Sequence, residues 1–184
     1  VVDHGPENAN SPDGKVYLIG HGSSDPLGWL SWMQGSEVYM ARFDATNVPS
    51  ELNDPDRYEF WGGQRAGWVR TVAAAKPVLT WANRTGVTTQ TYAAVLDKYF
   101  TVISTPSNSP QTQGNFTTYI LESDAPTGPF RMVKFLHNLG PEAYFVNFPS
   151  GFMAKEKAAD GSLEAVLSWS QNWNMHNRSN PPGT

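Results

Sequence analysis

The residues best suited to chemistry in this chain are a histidine between two glycines and a loop that gathers His, Glu and Tyr. His21 lies in Gly20-His21-Gly22, just past a strand-like run. Flanking glycines there let backbone and ligand come close. An imidazole titrating near neutrality suits proton transfer; the plainer reading is a turn histidine bonded to a neighbouring carbonyl. The run His137-Asn138-Leu139-Gly140-Pro141-Glu142-Ala143-Tyr144 brings His137, Glu142 and Tyr144 into one loop. A Tyr or His base can remove the C5 proton of a uronate whose carboxylate is neutralised. A carboxylate such as Glu142 serves glycoside hydrolysis instead, or simply caps a turn.

Binding residues surround these candidates. Pro26-Leu27-Gly28-Trp29-Leu30-Ser31-Trp32 sets Trp29 and Trp32 in one polar loop. Indole faces accept the C–H faces of sugar rings, although tryptophan is as often a wedge between sheets. Trp61-Gly62-Gly63-Gln64-Arg65-Ala66-Gly67-Trp68 places Arg65 in a glycine-rich turn between Trp61 and Trp68, with Trp68 a further candidate sugar platform. Arginine offers a carboxylate a two-pronged fork; a solvated surface arginine is the alternative. Metal support is weak, because His4, His21, His137 and His176 show no ligand spacing. Asn53-Asp54-Pro55-Asp56 offers oxygens to Ca²⁺ but lacks the calcium-loop pattern and reads better as a turn. No cofactor is expected. Phosphate-loop, nucleophile-elbow and dinucleotide fingerprints are all missing, which removes nucleotide chemistry.

Composition narrows the class further. The 184 residues carry 13 Lys+Arg against 17 Asp+Glu, a net charge of −4 without any basic stripe, so a phosphate-reading nucleic-acid binder is excluded. Charged residues make up 16%, below the roughly 25% of an ordinary soluble domain. The surface must therefore be built of Ser, Thr, Asn, Gln and Gly. No apolar run approaches the ~18 residues of a membrane helix. Without cysteine there is no disulfide framework and no thiolate site. Asn83-Arg84-Thr85, Asn115-Phe116-Thr117 and Asn177-Arg178-Ser179 are N-glycosylation triplets. Together with a start at Val1 they point to a secreted, processed protein or a stretch of a longer one.

The elements that must hold these residues are strands. Short β-branched and aromatic runs alternate with Gly, Pro, Asp and Asn turns. Strands are expected at Lys15–Gly20, Glu37–Phe43, Tyr58–Trp61, Val87–Tyr92, Tyr99–Ser104, Thr117–Ser123, Arg131–Phe135, Ala143–Phe148 and Leu163–Ser168. The one run of helix formers, Phe152–Ala159, stops at Asp160-Gly161. The pieces repeat: a turn-plus-strand begins at Asp13, Asp97 and Asp160, and a second strand places Tyr39 and Tyr119, Asp44 and Asp124 eighty residues apart. Repeated antiparallel strand groups read as propeller blades, with a β-sandwich as the rival.

Ser11-Pro12-Asp13-Gly14-Lys15-Val16-Tyr17-Leu18-Ile19-Gly20-His21-Gly22 resembles a blade motif of secreted fungal and bacterial β-propellers. So do Tyr58-Glu59-Phe60-Trp61-Gly62-Gly63, Tyr119–Asp124 with Thr127-Gly128-Pro129-Phe130, and Asn180-Pro181-Pro182-Gly183. That resemblance extends to carbohydrate-active propellers, including lyases and glycosidases of rhamnose–glucuronate linkages. It implies an acid/base role for His21 and an axial position for Tyr92. The expected fold is all-β, with about three four-stranded antiparallel blades over units of about 11–66, 67–136 and 137–184. Because closure takes about 4–8 blades, further blades of the same protein or a second copy must complete the ring. The expected function is cleavage of an acidic or rhamnose-containing polysaccharide, the alternative a lectin-like binder or scaffold. Neither nucleic acid nor membrane is an expected partner.

Overall fold

A computed structural model describes residues 1–22, 32–45, 52–106, 115–141 and 143–170. The chain is all-β: 46% of the described residues are strand, the sheets are antiparallel and no α-helix occurs among the described residues. The first sheet runs in order through β1 (Lys15–Gly22), β2 (Glu37–Asp44), β3 (Glu59–Trp61) and β4 (Trp68–Val69), with β5 (Leu79–Thr80) on the remaining length of the β2 edge. The second is the meander β6 (Val87–Ala93), β7 (Lys98–Pro106), β8 (Asn115–Ser123) and β9 (Arg131–Pro141). The third pairs β10 (Tyr144–Asn147) with β11 (Ser168–Ser170). The first sheet thus extends past residue 66, and the second runs on to Pro141.

Turn chemistry sets these starts. The residue just before β1, Gly14, has φ +70°, and the one just before β7, Asp97, has φ +54°. Gly161, with φ +82°, opens the third copy of the same turn. One left-handed residue reverses the chain, and glycine or a short polar residue meets that demand most cheaply. Ion pairs then fix the register in the same way twice. Lys15 opens β1 and binds Asp44 at the end of β2 (2.7 Å), while Lys98 opens β7 and binds Asp124. Two residues before each aspartate the pair recurs with its signs exchanged: Arg42 binds Glu59 at 2.8 Å, and Glu122 binds Arg131. The eighty-residue repeat is therefore a repeat of cross-strand pairs.

Two expectations need correction. Phe152–Ala159 forms no helix; a 3₁₀ turn at Ser150–Phe152 is followed by an extended bridge from Met153 to Ala165. The eight residues of Phe152–Ala159 are too few to offset helix nucleation. The last strand ladder begins at Ser168 rather than Leu163, because residues 164–166 pair back on 152–154. The two-residue strands β4 and β5 were below the length at which alternation can be read.

The sheets pack face to face in chain order. Tyr17 and Met40 of the first sheet meet Tyr92 and Tyr99 of the second. The other face of the second sheet carries Val102, Phe116 and Ile120, which pack on Val146 with Tyr144 and Phe148 of the third. Burying such side chains contributes about 1.5–3 kcal/mol each. Between the first two sheets the backbones nearly touch. Thr85 donates its N–H to Gly35 O (2.8 Å), and a Cβ on Gly86 would lie 1.9 Å from the Met33 carbonyl oxygen.

The N-terminal segment is threaded through this stack. Val2 donates its N–H to Tyr17 O, Asp3 donates to Gln90 O, and Tyr92 donates back to Asp3 O, each at 2.9 Å. Asp3 thereby runs parallel to β6. Its carboxylate accepts the Ser150 N–H (2.8 Å) and hydroxyl (2.7 Å), which ties in the third sheet. Burial alone would raise the pKa of Asp3; the bonds from Ser150 and Gly5 outweigh it and hold the carboxyl below its ordinary value. Next in the chain, His4 is 1% exposed among the rings of Tyr17, Tyr92 and Tyr99, with Nε2 3.3 Å from the Tyr99 hydroxyl. Desolvation in that cage lowers its pKa, and the nearby carboxylates of Asp13 and Asp3 only partly oppose the effect.

Two outcomes follow for stability. Gly86→Ala should lower the melting temperature by about 4–10 °C, the effect of roughly 2–3 kcal/mol of overpacking in a chain this long. Below about pH 6.5 the unfolded chain takes up a proton on His4 more readily than the folded chain, so the unfolded state binds more protons and stability falls on acidification. His4→Phe should flatten that slope of unfolding free energy as the pH falls below about 6.5. An unchanged slope would remove His4 as its source.

Candidate functional site

The end of β1 and the starts of β6 and β10 meet in an open cleft of about 160 Å³ lined by Ile19, His21, Trp32, Thr88 and Phe145. Each element delivers its residue for a local reason. In β1, His21 pairs with Val38 of β2 and is exposed where the strand leaves the sheet. Its ring passes the bare Cα of Gly35, where a Cβ would come within 3.1 Å of the imidazole Cδ2. Trp32 is 37% exposed, and its ring lies 5.2 Å from that of Tyr144 at a tilted angle. Tyr144 in turn packs edge-on to Phe116 at 5.0 Å, so the second and third sheets both brace the indole.

Phe145 is the least expected member. It is 55% exposed and its backbone is left-handed, at φ +50°. For a bulky residue that conformation is a true outlier, costing on the order of 1–2 kcal/mol. A register shift between Tyr144 and Asn147 produces it, and the Asn147 side-chain amide donates to Phe145 O at 2.7 Å to hold it. The result is an aromatic ring turned out of the core and into the cleft. Strain of this kind persists where surrounding structure over-determines it, and it clusters at ligand sites. Beside it, Thr89 donates its hydroxyl to Val146 O at 2.6 Å and locks β10 to β6.

His21, Trp32 and Tyr144, which the sequence had placed in separate loops, are thus brought together. The other candidates lie elsewhere. Tyr92 is buried at the far end of β6; burial, with a 2.7 Å bond donated to Asp97, pushes its phenol up to about 12, so it stays protonated. Trp68 is half-buried, edge-on to Tyr17 (5.6 Å) and Trp61 (5.4 Å), with the Arg42 guanidinium 4.3 Å over its ring. It packs the first sheet. Arg65 is exposed on the β3–β4 hairpin, and His137 is exposed on the outer strand β9 with its ring 6.2 Å from Phe135. Asn83 is exposed in the turn before β6, and Asn115 opens β8. Trp29, Glu142 and Asn177 lie outside the described residues.

Among the described residues no three His, Asp or Glu side chains gather as a metal site. Asp54 accepts the Asp56 N–H at 3.0 Å and caps a 3₁₀ turn, with Arg57 Nε at 3.4 Å. A larger hollow of about 560 Å³ at the other end, lined by Tyr92, Ser150 and Lys155, has the Asp3–Ser150 bonds at its wall and none of the exposed aromatics of the cleft. No protein-family model, no curated protein and no solved structure matches the chain.

Sequence reasoning missed Phe145 and Thr88. Nothing marks Phe145, since left-handed positions are ordinarily read from glycine or asparagine. Phe145→Gly should leave unfolding free energy unchanged or raise it by about 1 kcal/mol in denaturant titration, through relief of the backbone strain. A marked loss of stability would show that the ring packs a core instead.

Proposed function

We propose that the chain belongs to a secreted, carbohydrate-active β-propeller and that the cleft between β1, β6 and β10 is its sugar site. The observation that carries this reading is Phe145, an exposed aromatic held in a strained conformation beside Trp32 and His21. Two aromatic side chains lining one cleft with a hydroxyl and an imidazole suit a pyranose ring, which offers C–H faces and peripheral hydroxyls together. His21 serves as the group that moves a proton, and Trp32 and Phe145 as the platforms. Sheets one, two and three are then successive blades. Val2–Asp3, β6 and β10 form their innermost strands, and the repeated Lys–Asp and Arg–Glu pairs support the equivalence. The exposed Asn83 and the low charge of the surface fit an extracellular glycoprotein.

A specific observation favours binding without cleavage as the second reading. Among the described residues that line the cleft, His21 is the sole titratable group, whereas hydrolysis ordinarily uses two carboxylates.

The test is a saccharide panel of neutral and uronate-containing oligosaccharides, with calorimetry for binding and assays for new reducing ends and for the absorbance of an unsaturated uronate. Phe145→Gly and Trp32→Ala should each weaken sugar binding about tenfold or more, as expected for loss of about 1.4 kcal/mol or more of contact. His21→Ala should abolish any cleavage while leaving binding largely intact. Cleavage that survives His21→Ala would take His21 out of the mechanism. Absence of binding to every saccharide would overturn the reading.

A further inference from the structure

The stacking of the sheets follows a rule that the first sheet leaves half fulfilled. Counted from the left-handed turn residue, Ile19, Val102 and Val166 occupy one position in the three copies. Ile19 packs against the cluster shared with the second sheet, and Val102 is 1% exposed against the third. Val166 is 52% exposed. The opposite face shows the complementary gap. Tyr119 and Leu121 of β8 are buried against Leu79 of β5 in the first sheet and Trp81 just after it. Their counterparts eighty residues earlier are Tyr39 and Ala41. Those two lie, with Leu18, Phe60 and the 67% exposed Val72, around an open apolar hollow of about 520 Å³.

The chain therefore carries both halves of one contact at its two ends. We infer that the face of the first sheet left open by the described residues is an interface for a second copy of this chain, which lays there its third sheet and the segment leading into β11, with Val166 of that segment in the place that Ile19 takes against the second sheet. The inference rests on the equivalence of the three sheets proposed above. The hollow continues an interface already built once within the molecule, because the same strand positions meet a sheet in the second repeat. A contact between unlike faces is heterologous: it closes a ring or runs on as a filament. The described residues of two chains bring together six sheets, inside the range of about 4–8 at which such rings close. Closure also covers apolar surface that isolated chains leave in water.

Sedimentation velocity across micromolar concentrations tests this. The wild-type chain should sediment as a closed dimer, with twice the 20.3 kDa of one copy. Leu18→Glu and Val166→Glu should each weaken association about a hundredfold, since each buries an unpaired charge in one half of the contact. Circular dichroism melts check that both variants fold, and Ala41→Arg replaces Leu18→Glu if that variant does not. Because the faces are unlike, an equimolar mixture of the two variants should recover one intact contact and give a heterodimer that neither forms alone. A wild-type chain that stays monomeric, a dimer indifferent to both substitutions, or a mixture that does not re-associate would each overturn the inference. A monomer that still binds saccharide would leave the sugar-site reading standing, so the two fail separately.

Discussion

Three sheets in this chain are held in fixed relation by a segment that belongs to none of them. Asp3 spends its N–H and carbonyl on β6 and its carboxylate on Ser150, while Val2 donates to β1. One residue thus spans groups 147 positions apart in sequence. Sheet faces are slippery: apolar contacts give free energy but little direction. Hydrogen bonds to buried backbone supply the direction, and leaving them unmade would cost about 1–3 kcal/mol each. The tyrosine cage around His4 then fills the space beside the segment, and it needs the imidazole neutral.

The cleft depends on that alignment. His21, Thr88 and Phe145 come from three different strands. Their separation is set by how far β1, β6 and β10 are offset along their lengths. The bond from Thr89 to Val146 and the close passage of Gly86 under Met33 fix those offsets near the cleft, while Asp3 fixes them at the other end. A loose site would follow from loosening either end. The strain at Phe145 persists for the same reason, because the bulge that causes it is pinned on both sides.

Much of the architecture was legible in the sequence. Alternating apolar residues located β1, β2, β7 and β8 to within one or two residues, helped before β1 and β7 by turns at Asp13-Gly14 and Asp97, because period-2 burial and left-handed turns leave local marks. The repeat was visible as Tyr39/Tyr119 and Asp44/Asp124, and the ion pairs explain why the aspartates recur. The N-terminal segment, bridged to β6 at Asp3, left no mark. Val1-Val2-Asp3-His4-Gly5-Pro6 reads as a polar terminus, and only tertiary bonds make it extended. Leu163–Ser168 misled because its alternation is real, yet the partners lie on residues 152–154. Site candidates separated along the same line. Aromatic and histidine residues in glycine-rich surroundings could be picked out, but which of them converge depends on strand offsets that no local pattern encodes. Trp68 and Tyr92 were attractive for their type, and packing claimed both.

Amide hydrogen exchange resolved by residue tests most directly whether the N-terminal segment holds the stack. The account predicts that the amides of Val2, Asp3 and Tyr92 exchange only through global unfolding, as slowly as those in the middle of β7. Exchange of the Asp3 amide at the rate of a free terminus, with β6 and β7 still fully protected, would contradict it.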